Sequence, residues 1–236
     1  MTVVERADRT ARHYAIGLLV AFAVLGVLVV LRWPPILERD LATDVAVHAV
    51  VLREHLLLTA AVIVTNAGSP VSVNIITVLV AGLLLYRRRM GAAVYLAAAR
   101  LLELGVETAV KHLVGRPRPV LPDPVGHASS FSFPSGHTAG TAVLCAALLV
   151  LALRRRAPWV APAGVAIVTI AIAAIAILAV AASRVLLGVH YPSDVLGGAL
   201  LGIACALILR PLLTMAGPRT MTPPMAPPEA EREAPA

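Results

Sequence analysis

Six apolar blocks follow one another along the chain, each approaching the ~18–20 residues that a helix needs to cross a bilayer. They run at about Tyr14–Leu31, Val71–Tyr86, Ala92–Val114, Gly136–Leu153, Trp159–Ala182 and Val195–Met215. The pattern predicts an all-α fold, an integral membrane six-helix bundle. Trp33, Pro34 and Pro35 stop the first block, and tryptophan favours the membrane interface. From Asp44 to about Asn66 the pattern is helical, but the stretch holds Asp44, His48, Arg53, Glu54 and His55. That is too polar for an ordinary span, so it is read as an additional interfacial helix lying along the membrane surface. "NAGSP", Asn66–Pro70, is a turn.

The blocks divide the chain into a cytoplasmic N-terminus over residues 1–13, a membrane domain over 14–215 and a tail over 216–236. The tail is rich in proline, alanine and glutamate and is expected to be disordered. The basic start followed by an apolar run resembles a signal peptide, but no small-residue cleavage site follows. It is read as a retained first span.

Composition agrees with a membrane protein. Hydrophobic residues make up 59% and charged residues 14%, against about 25% charged in soluble domains. The net charge of +7 comes from nineteen arginines and one lysine, Lys111. In a membrane protein such a surplus sets orientation, and no nucleic-acid partner is expected. Cys145 and Cys205 fall inside apolar blocks and read as buried hydrophobes.

The arginines are distributed unevenly. Arg87–Arg89 and Arg154–Arg156 follow the second and fourth spans, and Arg6, Arg9, Arg12, Arg210, Arg219 and Arg232 fall on the same side. The positive-inside rule makes that side cytoplasmic. The segments after the third and fifth spans then face outward, and these carry the unusual polar residues, within 111–137 and 183–194.

Three clusters share that outer face. "KHLVGRPRP" holds Lys111, His112, Arg116 and Arg118; "PSGH" is Pro134–His137; "SRVLLGVHYPSD" holds Ser183, Arg184, His190 and Asp194. Lys111, Arg118 and Arg184 are fixed cations suited to phosphate oxygens, arginine in a paired geometry and lysine as a point charge. The prolines beside Arg116 and Arg118 stiffen the backbone that presents them. Ser135 is a good N-cap, and Gly136 lets an anion approach the free amides of the first turn. His190 and Asp194 stand four apart, one face of a helical turn. A carboxylate on one ring nitrogen leaves the other as base or nucleophile. His137 is a second imidazole able to protonate a leaving oxygen.

Other polar residues read as structural. Arg100, Glu103, Glu107 and Lys111 follow 3–4 spacing and form a ladder supporting Lys111. His48 and His55 are interfacial, and His127 and Asp123 are loop residues.

Lys111–x6–Arg118–Pro119, then Pro134–Ser135–Gly136–His137, then Ser183–Arg184–x5–His190–x3–Asp194 are similar to the three-part signature of the type 2 phosphatidic acid phosphatase family. The resemblance covers roughly residues 70–215. It implies a six-helix membrane phosphatase that needs no metal or other cofactor. It implies His190 as nucleophile, Asp194 as its partner and His137 as general acid. Lys111, Arg118, Ser135, Gly136 and Arg184 would hold the phosphate.

The expected reaction is hydrolysis of a lipid phosphate or diphosphate through a phosphohistidine at the extracytoplasmic face of the cell membrane. An isoprenyl diphosphate such as undecaprenyl diphosphate is the first choice. Phosphatidate or phosphatidylglycerophosphate is the alternative. A phosphotransferase would use the same intermediate with an alcohol acceptor. A lipid-phosphate binder or transporter would need only the cations, which leaves His190 and Asp194 unexplained. A metal-dependent hydrolase would need a compact ligand set that the sequence lacks. The lipid tail and the oligomeric state stay open.

Overall fold

The computed structural model describes residues 3–121, 130–154 and 163–215. Nine helices are present among them: α1 (Val3–Val30), α2 (Pro34–Val51), α3 (His55–Ala67), α4 (Pro70–Tyr86), α5 (Met90–Val114), α6 (Gly136–Arg154), α7 (Ala163–Leu186), α8 (Pro192–Ile208) and α9 (Leu212–Met215). No strand occurs among the described residues. His127, Asp123, Arg155, Arg156, the beginning of the fifth apolar block and the tail lie outside them.

Among the described residues three helices are long and apolar enough to cross a bilayer, α1, α6 and α7, and the bent pair α2–α3 meets the same criterion only when taken together as one broken span or re-entrant loop. The 17-residue α4 and α8 are also apolar, and the 25-residue α5 carries the charged ladder. α7 shows how lipid contact is written into sequence. Its Ile167, Ile172, Ile175 and Leu178 are exposed, as hydrocarbon tails permit. α1 does the same with Val20, Val24 and Val27.

The polar second segment departs from expectation. It is two helices, bent by 116° at a short break, rather than one. Pro34 and Pro35 end α1 and also begin α2, because proline fits the first turn where no amide partner is needed. Asp40, Asp44 and His48 succeed each other one turn apart and are buried. His48 is therefore an inward residue, not an interfacial one. The polarity of α2 arises because that face meets the protein's own polar site. At the other end of the chain, α8 stops at Ile208, short of the expected Met215, and the brief α9 follows.

The closest helix contact joins α6 to α8. A Cβ on Gly202 would lie 2.3 Å from Ala139 O, and one on Gly198 would lie 2.5 Å from Ser135 O. Small residues four apart let two backbones approach within a membrane. Phe133 fills the space beside Gly197 and stacks on Phe22 of α1 at 5.7 Å. Tyr95 of α5 donates to Ala206 O of α8 at 2.8 Å. α8 is thereby fixed against α1, α5 and α6, with its N-terminus beside the start of α6.

Opposite that end lie Arg87–Arg89, at the far end of α5 from Lys111. Arg210, beyond the far end of α8, pairs with Asp8 of α1 at 3.2 Å.

Candidate active site

The third polar cluster is shaped by two helix ends. α7 finishes in a turn closed by Gly188 at φ +65°, a conformation that costs glycine nothing. His190 follows in the connection, and α8 starts at Pro192. His190 and Asp194 therefore do not share a helical turn, despite their spacing. Asp194 sits in the first turn of α8, where its Oδ2 accepts the Tyr191 N–H at 2.9 Å. An acid at this position satisfies a free amide of the helix start. The same oxygen lies 3.5 Å from His190 Nδ1.

Both side chains are out of solvent, His190 at 1% exposure and Asp194 at 0%. On the far side of the ring, Arg118 Nη1 is 3.0 Å from His190 Nε2. A guanidinium can only donate, so Nε2 is the nitrogen with the lone pair and Nδ1 carries the proton toward Asp194. Burial pushes the His190 imidazole down to about 4, with Asp194 acting in the opposite sense and Arg118 and Arg184 adding to the fall. The imidazole is neutral near pH 7, with its lone pair directed at the cations.

Arg118 is the most heavily tethered cation. It donates to Ser130 O at 2.7 Å and to Val189 O at 2.5 Å. Lys111, at the end of α5, donates to Phe131 O at 2.8 Å and lies 3.4 Å from Glu107. Below it Arg100 pairs with Glu103 and donates to Asn74 Oδ1 on α4 at 2.9 Å. The ladder expected from spacing is present. Arg184 Nη1 donates to Thr65 Oγ1 on α3 at 2.7 Å. A cleft of ≈ 350 Å³ opens beside Lys111 and Arg118, which line it together with His112, Arg116, Ser130 and Phe131.

"PSGH" begins α6. Ser135 O accepts the Ala139 N–H at 2.9 Å, and Thr138 Oγ1 donates to Ser135 Oγ at 3.2 Å. Ser135 N–H donates to Asp194 O at 3.0 Å, which joins the second cluster to the third. Gly136 has a further reason to be glycine: a Cβ there would lie 2.4 Å from Glu107 Oε1. His137 is half-buried and feels the charges of Arg184, His190, Arg118 and Lys111. The structure thus brings His190, Asp194, His137, Lys111, Arg118, Arg184, Ser135 and Gly136 to one end of the bundle. Ser183 Oγ is turned away, donating to Val180 O at 2.7 Å. His112 meets the Phe131 ring edge-on at 5.7 Å.

Three residues carry roles that sequence alone did not assign. Ser132 Oγ donates to Asp194 Oδ2 and stands 3.4 Å from His190 Nδ1, between acid and imidazole. Arg116, which shares the first polar cluster but has no role assigned there by sequence, binds Asp194 Oδ1 at 2.6 Å. Asp40 of α2 takes the other amino group of Arg116 at 2.7 Å. Ser132 lies just before "PSGH", a position that could have drawn attention. Asp40 gave no sign, because its partners lie 76 and 153 residues away.

Among the described residues no group of three or more histidine, cysteine or acidic side chains is placed to hold a metal ion.

A model of the PAP2 superfamily matches residues 90–217. Phosphatidylglycerophosphatase B of Bacillus subtilis is 32% identical over 171 residues, covering 69% of this chain and 78% of that protein. Lipid A 1-phosphatase of Porphyromonas gingivalis is 38% identical over 99 residues, 42% of this chain but 19% of the relative. Decaprenylphosphoryl-5-phosphoribose phosphatase of Mycolicibacterium smegmatis is 37% identical over 112 residues, 46% of this chain and 50% of the relative. The chain thus spans about a fifth and a half of the last two.

Among solved structures, a transmembrane PAP2-type phosphatidylglycerolphosphate phosphatase from Bacillus subtilis superposes with a TM-score of 0.74 at 24% identity. The match covers 88% of this chain and 99% of that one. Aquifex aeolicus LpxE gives 0.56 at 24% identity, over 72% and 93%. These two share the fold. With its membrane helices, its three-part cluster and a family match over more than half its length, the chain is an integral membrane protein that belongs to the PAP2 superfamily.

Proposed function

We propose that this protein is a membrane lipid phosphatase that works through a phosphohistidine on His190. The observation that carries the reading is the aim of His190 Nε2: it is unprotonated and 3.0 Å from a cation of the phosphate clamp. Phosphorus held by Lys111, Arg118 and Arg184 lies within reach of that lone pair. Nε2 forms an N–P bond as the P–O bond to the lipid breaks. The imidazolium that results is stabilised by Asp194, and His137, which takes up a proton once the bound phosphate's negative charge offsets the surrounding cations, gives that proton to the leaving oxygen. Water then attacks the same phosphorus, breaks the N–P bond and returns a proton to His137. The cations stabilise the charge on the transferring phosphoryl group without a metal.

A lipid substrate is supported by an apolar hollow next to the cationic cleft. Leu28, Val29, Ile36, Leu37 and Val114 line it, and Arg116 and Pro117 belong to both spaces. The six-span reading with a separate surface segment rests on the apolar blocks and on the polarity of α2, and the extracytoplasmic site rests on arginine distribution. Arg87–Arg89 and Arg210 end helices at the pole away from His190, and the positive-inside rule makes that pole cytoplasmic.

An outward site favours an isoprenyl diphosphate such as undecaprenyl diphosphate. Phosphatidylglycerophosphate is the second reading, favoured by the Bacillus subtilis relative that matches most of its length. Phosphate release by the purified protein from both lipids and phosphatidate, with and without excess chelator, tests the proposal. Turnover that survives the chelator is expected. No release from any lipid phosphate, or release restored only by a divalent ion, would overturn it.

A further inference from the structure

Asp194 is a buried carboxylate whose Oδ1 is held by Arg116. Both amino groups of Arg116 are neutralised by buried carboxylates, whereas the contacts of Arg118 are all to uncharged groups, so Arg118 and not Arg116 keeps its charge for a phosphate. Arg116 Nη1 donates to Asp194 Oδ1 at 2.6 Å and to Ser193 Oγ at 2.7 Å, and its Nη2 donates to Asp40 Oδ2 at 2.7 Å. The guanidinium also lies 4.0 Å above the centre of the Tyr191 ring, which fixes its plane. Asp40 comes from α2 and does two further things. Its Oδ1 accepts the Ser193 N–H at 3.0 Å, a free amide of the α8 start, and its Oδ2 accepts the Ser193 hydroxyl. α2 is thereby clamped across the N-terminus of the helix that carries Asp194.

The charges explain why two acids share one arginine. Arg116 alone would fix Asp194 but would also draw on the negative charge that stabilises a His190 imidazolium. A second carboxylate on the same guanidinium holds it from the other side and offsets its charge. Building on the phosphohistidine reading, we propose that Asp40 and Arg116 are positioning residues that hold Asp194 in register with His190 and keep its charge available to the imidazole. Neither touches the phosphate. Their loss is expected in the chemical step rather than in substrate or phosphate binding.

The test is a double-mutant cycle on the purified full-length protein. Asp40→Asn and Asp194→Asn are made singly and together, with kcat, KM and inhibition by inorganic phosphate measured for each. Asp40→Asn is expected to lower kcat by about tenfold or more, as loss of a charge-assisted bond does, with KM and phosphate inhibition within ~3-fold. In the Asp194→Asn background the same change should cost less than about twofold, because residues acting through one group are not additive. Asp40→Glu, which keeps the charge, should recover much of the lost kcat. If Asp40→Asn does not fold, Arg116→Lys in the same two backgrounds carries the same expectation.

A raised KM with kcat unchanged, or losses that multiply across the two sites, would overturn the proposal. So would unchanged kinetics in a wild type that turns over. A wild type that releases no phosphate would remove the phosphatase reading itself, and this inference with it.

Discussion

Replacing Gly202 by alanine adds one methyl group, far from any phosphate, and should nonetheless weaken turnover. Its Cβ would lie 2.3 Å from Ala139 O and 2.8 Å from both Ala142 Cβ and Val143 N. Carbon and oxygen sit at about 3.3 Å or more in ordinary contact, so α8 must move off α6 by ~1 Å. Two of the three obstacles are backbone atoms and cannot turn aside. The same displacement, carried along the helix, would stretch the Ser135 N–H to Asp194 O bond from 3.0 Å to ~4 Å, past the range of a hydrogen bond.

Overpacking of this kind costs about 1–3 kcal/mol of stability, more than the ~0.5–1 kcal/mol that alanine gains over glycine within a helix. Misplacement of a catalytic group by 1 Å costs up to ~10²-fold in rate. A lower melting temperature and a 10- to 100-fold lower kcat are expected, on the scale of ~1.4 kcal/mol per decade. Gly82→Ala is the control, since nothing lies within 4 Å of its Cβ position; it should melt no lower than wild type and keep full activity. Thermal unfolding in detergent and phosphate release from a lipid phosphate measure both quantities. A Gly202→Ala protein that behaves like Gly82→Ala would refute the link between helix contact and site geometry.

Arg118→Lys keeps the charge but cannot reproduce the fork that joins Ser130 O, Val189 O and His190 Nε2. A loss of about tenfold or more in kcat/KM is expected, and unchanged kinetics would place Arg118 outside the site. The pH profile of kcat/KM follows the free enzyme. His190 is pushed down to about 4 by burial, so Nε2 keeps its lone pair as pH falls through 6.5, and activity should fall only as pH nears that lower value. Two substrates whose phosphates titrate at different pH separate this limb from their own. A loss of activity as pH falls through 6.5, common to both, would contradict the assignment.

Much of the fold was legible because bilayer crossing imposes one simple pattern. α1, α4 and α5 fall where apolar runs were read, and the proline pair marks the boundary between α1 and α2. What failed was the inference from polarity to solvent. Polarity alone places Asp44 and His48 at the membrane surface, because an ordinary span would not hold them, yet both are buried. Sequence distinguishes a polar helix from an apolar one but not which surface its polar face meets.

The site divides in the same way. Residues within one motif were readable, since local spacing constrains them. Even there the reason differed: Asp194 approaches His190 through the amide-capping geometry of a helix start rather than across a helical turn. Asp40, Arg116 and Ser132 act across different elements. Their pairing depends on how α2, the Gly115–Arg118 connection and α8 converge, which no local periodicity encodes.

Turnover through His190 requires that its Nε2 become covalently phosphorylated. Acid quench of the wild type during turnover of a lipid substrate labelled in the transferred phosphate, followed by rapid peptide mapping, tests it most directly. An acid-labile, base-stable phosphate is expected on the peptide containing His190, absent from His190→Ala together with turnover. Label on the His137 peptide, or full activity in His190→Ala, would contradict it.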